Sequence, residues 1–189
     1  MSNAAPWTAA ENDYRGIADL PAVDTLSVSV VVPVFNRAES LIRTLAGLAA
    51  QSRPELEVIV VDDGSTENIA AAVDQADLSI TPRLIRQERD GFGAHRARNR
   101  GAAATDADVV VFVDADCIPH RELVARHLFW HERASNVVVA GTRAHIDASE
   151  LDLNAIEAGS FATAAGVADD GIVPEDWRRI FYRRNKQLT

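Results

Sequence analysis

The sequence predicts an α/β domain built on a mostly parallel sheet flanked by helices. Three observations carry that expectation. Val109 to Val113 is a run of five apolar residues without polar alternation, the mark of a strand covered on both faces. Strand-like and helix-like stretches alternate with short connections from about residue 26 to residue 142, the pattern of βαβ units with right-handed crossovers. Acidic residues directly follow two of the strand-like runs, at Asp62-Asp63 and at Asp114-Ala115-Asp116, and open α/β sheets collect ligands at the carboxyl ends of their strands.

Taken in order, residues 1–25 are punctuated by Pro6, Gly16 and Pro21 and read as an N-terminal arm that Trp7 and Tyr14 help to pack down. Leu26 to Phe35, dense in valine, is the first buried strand, with Pro33 at its end, where a missing amide donor is tolerable. Glu39 to Ala50 places Leu41, Ile42, Leu45 and Leu48 at helical spacing, and Gln51 to Pro54 breaks it. A second strand spans Glu57 to Val61, a helix Glu67 to Ala76, a third strand Pro82 to Gln87, and Gly91-Phe92-Gly93 forms a tight loop. A helix rich in Ala and Arg covers Ala94 to Ala104, and the Val109 strand is followed by a helix from about His120 to Ala134. Asn136 to Thr142 reads as a fifth strand. Beyond Ile146 the pattern weakens into helical stretches over Leu151 to Ala165 and Glu175 to Gln187. The expected division is therefore an arm (1–25), an α/β ligand-binding domain (26–146) and the start of a further segment (147–189).

A chain of 189 residues with 47% apolar and 25% charged content suits one soluble globular domain. The net charge of −9 argues against a nucleic-acid partner held by a broad basic surface but leaves room for a small basic pocket around a diphosphate. The lone Cys117 has no internal disulfide partner and fits a reducing compartment. No apolar run reaches the ~20 residues that span a bilayer, and residues 1–10 lack the basic and apolar regions of a secretory signal. The expected location is cytoplasmic, with peripheral attachment at the inner membrane face compatible with it.

Adjacent parallel strands would bring three strand ends, Pro33 to Arg37, Asp62 to Ser65 and Asp114 to Asp116, onto one sheet edge. Gly93 and the start of the helix after it would lie nearby, offering backbone amides and a positive dipole end to a phosphate. Arg96, Arg98 and Arg100 could add charge-assisted hydrogen bonds, although an Arg-rich helix is more often a solvated face. Two carboxylates one residue apart suit a hard cation. Extended alternation would send Asp114 and Asp116 to opposite sides, and a plain turn with a helix cap is the competing reading.

Four stretches carry a family resemblance. They are Val30-Val-Val-Pro33-Val-Phe35-Asn36-Arg37, Val60-Val-Asp62-Asp63-Gly64-Ser65-Thr66, Gly93-Ala-His-Arg-Ala97-Arg98-Asn99-Arg-Gly101 and Val113-Asp114-Ala115-Asp116. In that order and spacing they resemble the motifs of family 2 glycosyltransferases, inverting enzymes with the GT-A fold, a Rossmann-like nucleotide-diphospho-sugar transferase fold. Each motif alone is weak, but four in order are specific. The resemblance implies a nucleotide-sugar donor, UDP-linked by family habit over GDP and dTDP, and a saccharide or other hydroxyl acceptor. It assigns nucleobase and ribose contacts to Pro33, Phe35, Asn36 and Arg37, loop ordering to Asp62, and the base edge to Asp63. Gly93, Arg98 and Ala115 fall within the nucleotide-binding set, Asp114 contacts ribose or metal, and Asp116 binds Mg²⁺ or Mn²⁺ bridging the diphosphate.

The family's general base lies in a later segment that forms the acceptor site. The late acidic pair here, Glu175-Asp176, reads as an ordinary helix start, so the base is expected outside this chain. The functional alternative is then a non-catalytic nucleotide-binding or scaffold fragment. A haloacid-dehalogenase-type phosphotransferase fits less well, because its Asp-X-Asp sits on the first strand, and no Gly-X-Gly-X-X-Gly follows the first strand to support a dinucleotide site. His127 and His131 are one turn apart with Leu128 where a zinc-protease helix needs Glu, and they read as helix-surface histidines.

Overall fold

The computed structural model describes residues 25–135, 137–141 and 151–159, with the short pieces 17, 20–22, 143 and 146. Four strands, β1 (Val28–Val34), β2 (Glu57–Asp62), β3 (Arg83–Arg86) and β4 (Val109–Phe112), form one parallel sheet in the order β3-β2-β1-β4. The helices are α1 (Ala38–Ala49), α2 (Ile69–Gln75), α3 (Ala94–Ala102), α4 (Leu123–His131) and α5 (Leu153–Glu157).

Every residue of β1 is buried, because it lies between β2 and β4 and is covered on both faces. Period-two alternation splits its side chains. Val28, Val30, Val32 and Val34 join Val58, Val60, Val109 and Val111 under Leu41, Leu45 and Leu48 of α1, Ile69 and Val73 of α2, and Val124 and Leu128 of α4. Val31 points the other way, with Ile59 and Val61, onto Ala97 of α3. Each such buried valine contributes roughly 1.5–3 kcal/mol over an exposed one. A polar side chain intrudes at Ser29, whose buried hydroxyl donates to Glu57 Oε2 at 2.6 Å and lies 2.7 Å from Thr105 Oγ1, so it is satisfied.

Pro33 fits this central strand for a reason visible in the ladder. Val31 O accepts from Val113 N at 3.1 Å while Val34 O accepts from Asp63 N at 2.9 Å, so odd positions of β1 bond toward β4 and even ones toward β2. Pairing with β4 ends at Val31↔Phe112. The amide that Pro33 lacks would face β4 beyond that point, where no ladder bond is lost.

The joints between elements are pinned by single side chains. Gln51 donates from Nε2 to the carbonyls of Gly47 and His120, each at 2.9 Å, and accepts from Val124 N at 2.9 Å, which ties the end of α1 to the start of α4. Gly101 lets α3 approach β1 so closely that a Cβ there would run into Val31. α5 docks on α1 through Ile156 and Ala46, and Glu157 accepts from the backbone and hydroxyl of Ser79.

Three expectations need correction. Residues 137–141 form no strand: Val138 is 96% exposed. β propensity measures fit to a paired, half-buried surface rather than an intrinsic backbone preference, and no partner is present there among the described residues. The Asp114–Asp116 stretch does not continue the strand, because β4 stops at Phe112 and a turn follows, closed by Cys117 N donating to Asp114 O at 3.0 Å. His127 is not on the surface: it is 8% exposed, on the buried side of α4 beside Val124 and Leu128. The arm with Trp7 and Tyr14, and the stretch from residue 160 that holds Glu175-Asp176, lie outside the described residues. Among the described residues no helix is long and apolar enough to cross a membrane.

Candidate active site

The carboxyl edge of the sheet opens into a crevice of about 290 Å³, lined by Pro33, Phe35, Arg37, Asp63, Arg89, Phe92, Ala94, Arg98 and Asp114 to Asp116, among others. Parallel strands produce this convergence. β1, β2 and β4 all end on the same edge, so the turns after them are neighbours although they are far apart in sequence.

The turn after β1 is held by Asn36, whose backbone takes a left-handed φ of 48° that Asn tolerates better than most residues. Its carboxamide oxygen accepts from Thr66 N at 2.8 Å and Glu67 N at 3.3 Å, and its backbone N–H donates to Ser65 Oγ at 2.9 Å. Asn36 therefore clamps the first turn to the second and leaves Phe35 and Arg37 facing the crevice. Asp62 orders the second turn: Oδ1 accepts from Ser65 N at 2.8 Å, and Oδ2 is paired with Arg86, its register partner on β3.

Asp63 is buried, with its side chain 4% exposed. Oδ1 accepts from Gln87 Nε2 at 2.6 Å and Oδ2 from Arg89 Nη1 at 3.0 Å. Gly93, the residue before α3, makes room for this carboxylate, since a Cβ there would overlap both of its oxygens. The Arg89 guanidinium carbon also lies over the Phe35 ring, 3.4 Å from its centroid.

On the far side, ligand atoms of Asp114, Asp116 and Cys117 lie within 4.8 Å of one another. The turn after β4 thus gathers the two carboxylates that strand alternation would have parted. Asp114 is engaged by Arg98 of α3, with Arg143 at 3.9 Å from its other oxygen. Asp116 is exposed, and the Cys117 thiol lies 3.8 Å from its Oδ1. Two carboxylate oxygens fit a hard divalent cation. Burial pushes the Cys117 thiol up from its ordinary pKa.

Of the residues singled out in the sequence, Pro33, Phe35, Arg37, Asp63, Arg98, Asp114, Ala115 and Asp116 line one crevice, with Gly93 against Asp63. Asn36 and Asp62 build the turns behind it. Arg96 turns away to Asp90 and Glu88 O. Sequence reasoning missed Arg86, Gln87 and Arg89. The signal that could have found them is register: if β3 pairs with β2, the residues after Ile85 lie beside Asp62 and Asp63.

The fold and site define an open parallel α/β domain with a ligand crevice at its carboxyl edge, flanked by an exposed carboxylate and arginine side chains. Residues 29–187 match the model of Glycosyl transferase family 2, and the chain belongs to that family. Its relatives include the hyaluronan synthase of Pasteurella multocida, 27% identical over 179 residues, covering 89% of this chain and 18% of that protein. The chondroitin synthase of Escherichia coli is 32% identical over 154 residues, covering 77% and 22%. The chain spans about a fifth of the length of these relatives. Among solved structures, S. aureus TarS 1-349 in complex with UDP-GlcNAc aligns at a TM-score of 0.49 and 29% identity, covering 54% of this chain and 30% of that one. The parallel four-stranded sheet flanked by helices is the architecture expected of the GT-A fold.

Proposed function

We propose that this chain is the donor-binding part of a metal-dependent, inverting glycosyltransferase that takes a UDP-sugar and transfers the sugar to a saccharide or other hydroxyl acceptor. The observation that carries the reading is the shared crevice, which joins an aromatic ring and a buried acceptor carboxylate (Phe35, Asp63) to an exposed carboxylate suited to a cation (Asp116). Family membership supports sugar transfer, and two relatives are named as synthases of saccharide polymers.

In this reading Phe35 stacks against the base, and Asp63 accepts from its ring N–H, a donor that needs a buried partner. Asp116 holds Mg²⁺ or Mn²⁺, with Asp114 turned toward the ribose and oriented by Arg98. When bound, the metal neutralises charge developing on the departing nucleoside diphosphate. The Gly93 turn and the first turn of α3 present amides to the phosphates. The acceptor hydroxyl attacks the anomeric carbon from the side opposite the diphosphate, which inverts it, and the chain contributes by holding the donor in line.

Calorimetric titration with UDP and Mn²⁺ tests this, alongside a transfer assay with a UDP-sugar. Saturable Mn²⁺-dependent binding is expected, lost by more than about a hundredfold in Asp116→Ala, since even residues that only support a metal ligand cost about 10–100-fold. Undiminished binding in that variant would remove the metal assignment. Binding without turnover would favour the second reading, a nucleotide-holding fragment, which the chain's small share of its relatives' length makes relevant.

A further inference from the structure

The guanidinium of Arg89 is a flat group stacked 3.4 Å from the centroid of Phe35 and donating an N–H to Asp63 at 3.0 Å. A uracil bound as proposed above would be a flat group stacked on Phe35 and donating an N–H to Asp63. One side chain of the protein therefore makes both contacts assigned to the base. We infer that Arg89 occupies the nucleobase seat of the free protein as an internal mimic, so that the donor base binds by displacing it. The inference rests on the reading of Phe35 and Asp63 as that seat.

Three features make the exchange feasible. Asp63 is nearly sealed from water, so its carboxylate needs a donor in either state, and Arg89 supplies one when no base is present. Gln87 stays on the other oxygen at 2.6 Å and holds the carboxylate's orientation while the partner changes. The Arg89 side chain is 35% exposed, with the open crevice beside it, whereas its backbone is packed against Gly64, where even a Cβ would come within 2.9 Å of Arg89 N. The side chain can swing out while the loop stays in place. Displacing it costs a partly exposed ion pair and a cation–π contact, which together correspond to about tenfold in affinity.

The test is calorimetry with UDP, uridine and inorganic pyrophosphate, each with Mn²⁺, on the chain and on Arg89→Ala and Arg89→Met, the latter keeping an apolar stem over Phe35. UDP and uridine should bind both variants about tenfold more tightly, by the same factor, while pyrophosphate affinity stays unchanged. Weaker or unaltered UDP binding in the variants would overturn the inference and make Arg89 a base contact or a bystander. A parallel change in pyrophosphate affinity would overturn it too, by moving Arg89 to the phosphates. Absence of UDP binding to the unaltered chain would instead sink the donor reading on which it rests. Thermal melting of each variant guards against misreading an unfolded protein.

Discussion

At the scale of single residues, the crevice depends on groups that are absent as much as on groups present. Gly93 has ordinary backbone angles, φ −96° and ψ 3°, so Ala could adopt them without strain. What it could not do is coexist with Asp63, whose carboxylate fills the space of the missing Cβ. Gly93→Ala should therefore reduce UDP affinity by about tenfold or more while moving the melting temperature by only a few degrees, since ~1 kcal/mol corresponds to about 2–4 °C in a domain of this size. Calorimetry and a thermal melt on the same sample check both halves. Asp114 and Asp116 divide the work in a way the sequence left open. Asp114 is spoken for by Arg98, and Asp116 faces solvent with the Cys117 thiol as its neighbour.

At the scale of elements, strands were legible where apolar runs were continuous and helices where leucines recurred at helical spacing. β1, β2, β4 and α1 lie within the expected stretches or one residue from them. The Asn136 to Thr142 expectation failed because a valine-rich run needs a pairing partner as well as propensity. The same blindness to packing put His127 on the surface. Its pKa is pushed down to about 4, first by burial and second by the nearby His131, itself lowered by burial. The sign follows from linkage. The unfolded chain takes up this proton below its ordinary pKa of about 6.5, while the folded one resists until about 4, so stability is full above 6.5 and falls as pH drops toward 4. The loss is on the order of 3 kcal/mol at pH 4. Denaturant titrations at pH 7.5 and 4.5 should show a shallower acid loss in His127→Gln than in the unaltered chain, and equal losses would contradict the buried neutral imidazole.

At the scale of the whole molecule, the order β3-β2-β1-β4 decides what the site can be, because it sets the ends of β1, β2 and β4 side by side and puts β3 next to β2. The motifs were readable one by one, but the partners of Asp62 and Asp63 were not, since Arg86, Gln87 and Arg89 reach them only through strand register. Acidic and arginine side chains share the crevice in a protein of net charge −9, which suits a ligand that arrives as an anion with its own cation. The most direct test of that account is electron paramagnetic resonance of Mn²⁺ titrated with the chain and UDP together. The signal of free hexaaquo Mn²⁺ should fall below the level that UDP alone leaves when the chain is added, and should stay at that level when Asp116→Ala replaces the chain. A free-ion signal that the unaltered chain leaves at the level of UDP alone would contradict a cation-held nucleotide at this sheet edge.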